Sequence, residues 1–234
     1  MKILITSGGT RIPIDRVRRI ENMSTGNFGQ KIAFECLKRN HQVLFLRARG
    51  SKSPFSKEFD LLDGYSVGDF TKWYNERASF LQDVDSYREE EYFSFDSYKT
   101  LLESSVVNWN PDVVVLAAAV SDYGVANYYE GKIRTGDSMS INLVALPKLI
   151  STIKPMAPNV KLVGFKMLVD STESSQIEAA KKSIKNNGCD LVVANDLTDI
   201  QNSYHKLILV KPDGTEEIVR ENLSERLVKV IETL

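Results

Sequence analysis

At 234 residues, with 42% apolar and 26% charged side chains, the chain has the size and composition of a soluble domain that can bury a sizeable core. Its net charge of −1 argues against a nucleic-acid binder, which needs a basic surface, though it leaves room for local cationic sites. The two cysteines, Cys36 and Cys189, offer neither a disulfide framework nor a zinc cluster, and the longest apolar run, Val113 to Val120, falls far short of the roughly 20 residues of a membrane helix.

These exclusions leave a cytoplasmic enzyme as the expectation. Ile3 to Thr6 reads as a short buried strand, and a strand this close to Met1 predicts no signal or transit peptide ahead of the fold. It runs into Ser7-Gly8-Gly9-Thr10, where glycines let the backbone turn sharply and bring its N–H groups against an anion. This is not the dinucleotide fingerprint. G-x-G-x-x-G opens directly into a helix, whereas here a polar loop, RIPIDRVRRIENMST, intervenes. The helix begins near Gly26, with Phe28, Ile32, Ala33, Cys36 and Leu37 at helical spacing and Asn40 as its stop. Its N-terminus, carrying Ser24, Thr25, Gly26 and Gly29, is a second anion-suited element. Arg16, Arg18 and Arg19 lie between the two. Three arginines in a short loop are often a solvated face; beside two glycine-rich turns an anion site is the sharper expectation.

Gln42 to Ala48 is the second strand. From Arg49 to about Asn110 the pattern weakens: Ser66 and Val67 read as a short strand, Phe70 to Leu81 as a helix, and the acidic, aromatic Tyr87 to Phe95 as a solvated connection or lid. Tyr98 to Trp109 reads as a helix with Leu101, Leu102, Val106 and Trp109 on one face. Asp112 to Val120 follows, β-branched and then a row of alanines, which is how a strand buried on both faces reads. Just past it stand Ser121, Asp122 and Tyr123, and then Lys132 and Arg134. In open α/β sheets ligands bind beyond the carboxyl ends of the strands. The bland alternative makes Asp122 a turn residue and Lys132 a solvated one.

Met139 to Val144 reads as a further strand, and Pro147 opens a short helix through Ile153. Val160 to Phe165 is a buried strand, and Glu173 to Asn187 a helix stopped by Gly188. Lys181 and Lys185 share a face of that helix, which costs a little unless an anion lies between them; otherwise the face is simply solvated. Asp190 to Ala194 is a strand ending in the polar pair Asn195-Asp196. His205 to Val210 and Glu216 to Val219 flank Pro212-Asp213-Gly214 and predict a hairpin, and Leu223 to Leu234 a closing helix. The alternation predicts an α/β fold: a Rossmann-like, doubly wound, mostly parallel sheet with helices on both faces and a C-terminal β-hairpin. One domain, 1–234, is expected, with about 50–110 a variable, insertion-like region.

ILITSGGT-(x)4-DRVRRIENMSTGNFG, LAAAVSDY, the downstream KIR, LVGFK, AKKSIKNNGCDLVVANDL and the terminal hairpin and helix, in this order, resemble the phosphopantothenate–cysteine ligases of coenzyme A biosynthesis. The resemblance spans nearly the whole length apart from about 50–110. With no flavin-type decarboxylase domain in the sequence, it is to the stand-alone form. It implies two steps. The phosphopantothenate carboxylate attacks the α-phosphorus of a nucleoside triphosphate, CTP in most bacterial members and ATP in the human type, and pyrophosphate leaves. The amine of cysteine then opens the acyl-nucleotide. Cations and Mg²⁺ must offset the like charges brought together.

By this resemblance Lys132 engages the nucleotide phosphates from a mobile loop. Asp122, Lys181 and Lys185 are nucleotide contacts, and Phe165 with Pro147, Lys148, Leu149 and Ile150 belongs to the nucleotide pocket. Asn22 is the catalytic asparagine, donating to the acyl carbonyl as negative charge builds there; its bland alternative is a loop cap. Gly8, Gly9, Arg18, Thr25 and Gly26 are expected to bind phosphopantothenate or its phosphate, and no metal ligand is identified. Two departures stand out: Arg134 where relatives carry further lysines, and Ile12 where they often have an acid. The family implies a homodimer with shared sites, the hairpin near 205–219 and the segment after Tyr123 being candidate contacts. Two other readings compete. A short-chain-type NAD(P)-dependent oxidoreductase would use Ser121, Tyr128 and Lys132, although the glycine fingerprint is interrupted and Ser121 lies unusually near Tyr128. A noncatalytic nucleotide-sensing module would leave Lys132 and Asn22 incidental.

Overall fold

The computed structural model describes residues 1–56, 66–82, 85–136 and 138–234. In chain order its strands are β1 (Lys2–Ser7), β2 (Arg11–Pro13), β3 (Arg19–Glu21), β4 (Gln42–Ala48), β5 (Tyr87–Tyr92), β6 (Val113–Leu116), β7 (Tyr123–Val125), β8 (Leu143–Ala145), β9 (Lys161–Leu168), β10 (Leu191–Asp196), β11 (Leu207–Val210) and β12 (Glu216–Val219). The helices are α1 (Asn27–Lys38), α2 (Val67–Gln82), α3 (Phe95–Trp109), α4 (Ile150–Met156), α5 (Glu173–Asn187), α6 (Leu197–Gln201) and α7 (Leu223–Ile231). Eight strands form one sheet in the order β12-β11-β10-β9-β6-β1-β4-β5. All neighbours pair in parallel except β10 with β11 and β11 with β12. This is the doubly wound sheet with a terminal hairpin that strand and helix alternation predicts.

The core is split by the sheet because successive strand residues point to opposite faces. Leu4, Leu44, Val114, Leu162 and Val192 pack with Tyr98 and Leu102 of α3, Ile153 of α4 and Ala180 of α5. Ile3, Ile5, Phe45, Val115, Val163 and Val193 pack on the other side, with Ile32 and Leu37 of α1 and Leu227, Val228 and Ile231 of α7. Each buried Val, Leu, Ile or Phe among them contributes on the order of 1.5–3 kcal/mol by leaving water. Cys36 and Cys189 are buried in these separate layers, which keeps them apart. Burial raises both thiols, that of Cys189 to about 11.

Several local expectations are corrected. Tyr87–Tyr92 is an edge strand and no lid. Glu89 accepts from Arg47 of β4 and from Ser53, each at 2.5 Å, and from the Tyr87 hydroxyl, and Arg47 also reaches Glu91 at 2.6 Å. Cross-strand ion pairs thus replace apolar alternation, and a charged edge also deters pairing with other chains. Ser66 and Val67 make no strand: Ser66 Oγ accepts the Asp69 N–H at 3.2 Å while Asp69 Oδ2 accepts the Ser66 N–H at 2.8 Å, the reciprocal arrangement that starts a helix. The loop after the glycine turn contains the β2–β3 hairpin. Of Met139–Val144 only Leu143 and Val144 lie in a strand, and α4 starts at Ile150, after Pro147.

Candidate active site

The glycine turn is held by close packing. Gly8 has φ 86°, and a Cβ on Gly9 would lie 2.2 Å from the Asn22 carbonyl oxygen, so only glycine fits where these backbones cross. Ser7 Oγ donates to the Gly26 carbonyl at 3.2 Å. Gly26, at φ 75°, opens α1 and has no side chain to cap it; the Thr25 hydroxyl accepts the Asn27 N–H at 3.3 Å, and the positive end of the helix still favours an anion.

β6 stops at Leu116, opposite Gly164, whereas β9 continues to Leu168. The alanine run past Leu116 leaves the strand and is drawn toward the glycine turn: Ala119 N donates to Gly8 O at 2.8 Å and Thr10 N to Ala119 O at 3.1 Å. A gap therefore opens at the carboxyl rim between Ala117–Asp122 and the upper half of β9, on the side of β1 where the strand order turns back. Asn22 stands at this gap. Its Nδ2 donates to Ala119 O at 3.2 Å, and its Oδ1 accepts from Ser121 Oγ at 3.4 Å. Ser121 N donates in turn to Thr10 Oγ1 at 2.8 Å. The amide bonds across the rim and does not cap its own loop.

Other expected residues gather here. Leu146 N donates to Asp122 O at 2.9 Å, and the Asp122 carboxylate pairs with the Lys148 ammonium. Ile150 covers Gly164, where a Cβ would meet its Cδ1 at 3.0 Å. Phe165 is half-buried on the opposite face, edge-on to Phe28 of α1 with centroids 6.1 Å apart. Leu149 is a core side chain, so only its backbone is left for a ligand.

Lys132 is exposed on a loop fastened to the hairpin by Asp15. Burial alone would raise the Asp15 carboxyl. Hydrogen bonds from Ile133, Val17 and Arg18 outweigh it and bring the group down to about 2. The expected triple-arginine anion site is not free. Arg18 pairs with Asp15 at 2.6 Å, Arg19 with Glu21 at 3.0 Å and Arg16 with Glu130 at 3.6 Å. Lys181 and Lys185 also stand apart. α5 runs away from the rim, Lys181 pairs with Glu216 of β12 at 2.7 Å, and Lys185 sits in the last turn, roughly 18 Å along the axis from Glu173 at 1.5 Å per residue. One chain alone does not gather them with Asn22. Asp196, at the same rim, is occupied structurally: the Ser171 hydroxyl above all, with the N–H groups of Ser171 and Thr198, holds it at about 2 against burial.

Sequence reasoning missed Asp15, Thr10, Phe28 and His205. Asp15 carried a signal, since aspartate opening a turn bonds the N–H groups that follow it. His205 packs edge-on against Phe28 at 5.4 Å, its Nε2 buried without a partner. Burial lowers its pKa.

A family model described as the DNA/pantothenate metabolism flavoprotein C-terminal domain matches residues 1–69 and 87–234. The chain belongs to this family. Of the stretch expected to vary, the match leaves out 70–86, most of α2. The chain is 33% identical over its full length to the coenzyme A biosynthesis bifunctional protein CoaBC of Thermococcus kodakarensis, of which it spans 51%. It thus spans about half the length of the bifunctional relatives it matches. It is 29% identical to the human phosphopantothenate–cysteine ligase, covering 99% of this chain and 83% of that one. Among solved structures, the DNA/pantothenate metabolism flavoprotein from Streptococcus pneumoniae superposes with a TM-score of 0.78 at 27% identity, over 100% of this chain and 99% of that chain. A histidine-to-alanine variant of Cab2 in complex with phosphopantothenate-cysteine shares the fold at TM-score 0.85 and 24% identity, over 99% of this chain and 85% of that chain. Membership in this family displaces the oxidoreductase reading, and the geometry agrees: Ser121 is buried and hydrogen-bonded to Asn22, and the glycine turn leads into a hairpin.

Proposed function

We propose that the chain is a phosphopantothenate–cysteine ligase that uses a magnesium–nucleoside triphosphate, CTP before ATP. The observation that carries the reading is the Asn22 amide, fixed on the Ala119–Ser121 edge of the rim beside the glycine turn and near the start of α1. In the first step a carboxylate oxygen of phosphopantothenate bonds to the α-phosphorus and the bond to the pyrophosphate oxygen breaks. Lys132 and Lys148, with the positive end of α1, offset the charge of the phosphates. In the second step the cysteine nitrogen attacks the acyl carbon, loses a proton and expels the nucleoside monophosphate. Asn22 stabilises the oxygen on which negative charge builds. Among the described residues no cluster of three histidine, cysteine or carboxylate groups forms a metal cage. A Mg²⁺ ion brought in by the triphosphate would supply positive charge to the phosphates, with ligands from phosphate oxygens and water.

A homodimer completes the proposal. The β7–β8 ribbon leaves Tyr123 and Leu143 58% and 48% exposed on one face and Val144 47% exposed on the other, apolar surface that a second copy would cover. A coupled pyrophosphate assay with phosphopantothenate, cysteine, Mg²⁺ and each triphosphate tests the activity. CTP-dependent pyrophosphate release, abolished in Lys132→Gln, is expected. Tight nucleotide binding without turnover under any substrate set would instead leave a sensing module.

A further inference from the structure

Asp15 lies where the β2–β3 hairpin meets the loop at 129–134, and the two-step chemistry above does not use it. Its side-chain oxygens divide their partners. Oδ1 accepts the N–H groups of Val17 and Arg18, both at 2.7 Å, which closes the hairpin's own turn. Oδ2 accepts the N–H of Ile133 at 3.0 Å and Arg18 Nη1 at 2.6 Å, and the same Nη1 donates to Ile133 O at 3.2 Å. Two backbone bonds join the same pair of elements: Tyr129 N to Ile14 O at 3.1 Å and Arg16 N to Gly131 O at 3.0 Å. Lys132 therefore sits between two residues whose backbones are tied to the hairpin, while its own side chain remains exposed. The hairpin leads straight through Glu21 into Asn22.

We propose that Asp15 is a positioning residue whose Oδ2 latches the Lys132 loop to the hairpin, so that the Lys132 ammonium and the Asn22 amide are held in one frame. A buried carboxylate is costly unless its lone pairs are used, and a turn alone would need only Oδ1. The second oxygen serves the loop. The consequence for catalysis rests on the reading of Lys132 as a phosphate contact. Misplacing such a group by about 1 Å can cost on the order of a hundredfold in rate.

Asp15→Asn separates the latch from the turn. The amide oxygen still accepts from Val17 and Arg18, but its NH₂ group now faces the Ile133 N–H and the Arg18 guanidinium, donor against donor. Hydrogen exchange on the full chain should show faster exchange at Ile133, with Val17 and Arg18 still protected. In single-turnover assays pyrophosphate release should slow about tenfold or more, while capture of preformed acyl-nucleotide by cysteine stays within about twofold. Ile133→Pro, which deletes the latched N–H and keeps Asp15, should reproduce the slow first step. Unchanged exchange at Ile133 in Asp15→Asn overturns the latch. So does a general loss of protection with both half-reactions falling together, unless Ile133→Pro shows the selective defect. If Lys132→Gln releases pyrophosphate at the unmodified rate, the role of Lys132 fails, and the exchange data still decide the latch.

Discussion

The Asn22 side chain is oriented at both ends, Nδ2 on the Ala119 carbonyl and Oδ1 on the Ser121 hydroxyl. Asn22→Asp would set an acceptor against the Ala119 carbonyl and, in the proposed second step, add negative charge beside the acyl oxygen that becomes an oxyanion. Pyrophosphate release should change by less than about threefold, while cysteine-dependent capture of the acyl-nucleotide slows by about 10²–10³, the range for one lost oxyanion donor. Equal losses in both half-reactions, measured in single turnovers, would remove Asn22 from the second step. The glycine pair was legible because glycine answers to backbone geometry, whereas Asn22 was singled out only through the resemblance, its residue type alone suiting a loop cap equally well. The arginines were not: each finds a carboxylate within its own hairpin or the neighbouring loop, and a count of cations cannot show which are already neutralised. The partner of Lys181, Glu216 on the C-terminal hairpin, was equally invisible to that count.

At the scale of elements, the central strands were readable because parallel strands covered on both faces leave unbroken apolar runs. β5 and the β2–β3 hairpin escaped because charges hold them, and the early end of β6 escaped because alanines suit a strand and a departing loop equally well. Two buried carboxylates bind such irregular parts to the frame: Asp15 joins hairpin to loop, and Asp196 caps α6 and ties in Ser171. Both sit at about 2 in the folded chain against an ordinary 3.8. Their stabilising effect is complete above about pH 5 and is lost as pH falls from there through about 2. Thermal unfolding should therefore move to lower temperature across that window, and less steeply in Asp15→Asn and Asp196→Asn. A midpoint that holds constant from pH 5 to pH 2 would contradict it.

At the scale of the molecule, the rim collects Asn22, Asp122, Lys148 and Phe165, while Lys181 and Lys185 lie down the flank of α5. Subunit mixing tests whether a second copy supplies them. Lys132→Gln and Lys181→Gln, each impaired alone, should regain up to about a quarter of full activity when unfolded together and refolded, if the two lysines serve one site from different protomers. No recovery, with mixed dimers verified by mass, would place both within one chain's site; full activity of Lys181→Gln alone would leave Lys181 outside the chemistry.

The separation of the two buried cysteines bears on the proposed substrate. A ligase that handles free cysteine works amid thiols and their oxidised forms, and exchange with them requires an accessible thiolate. Here each sulfur is sealed within its own layer and kept protonated at neutral pH. The scaffold thus stays chemically silent toward the amino acid it is proposed to consume, with no surface thiol of its own to be capped by it.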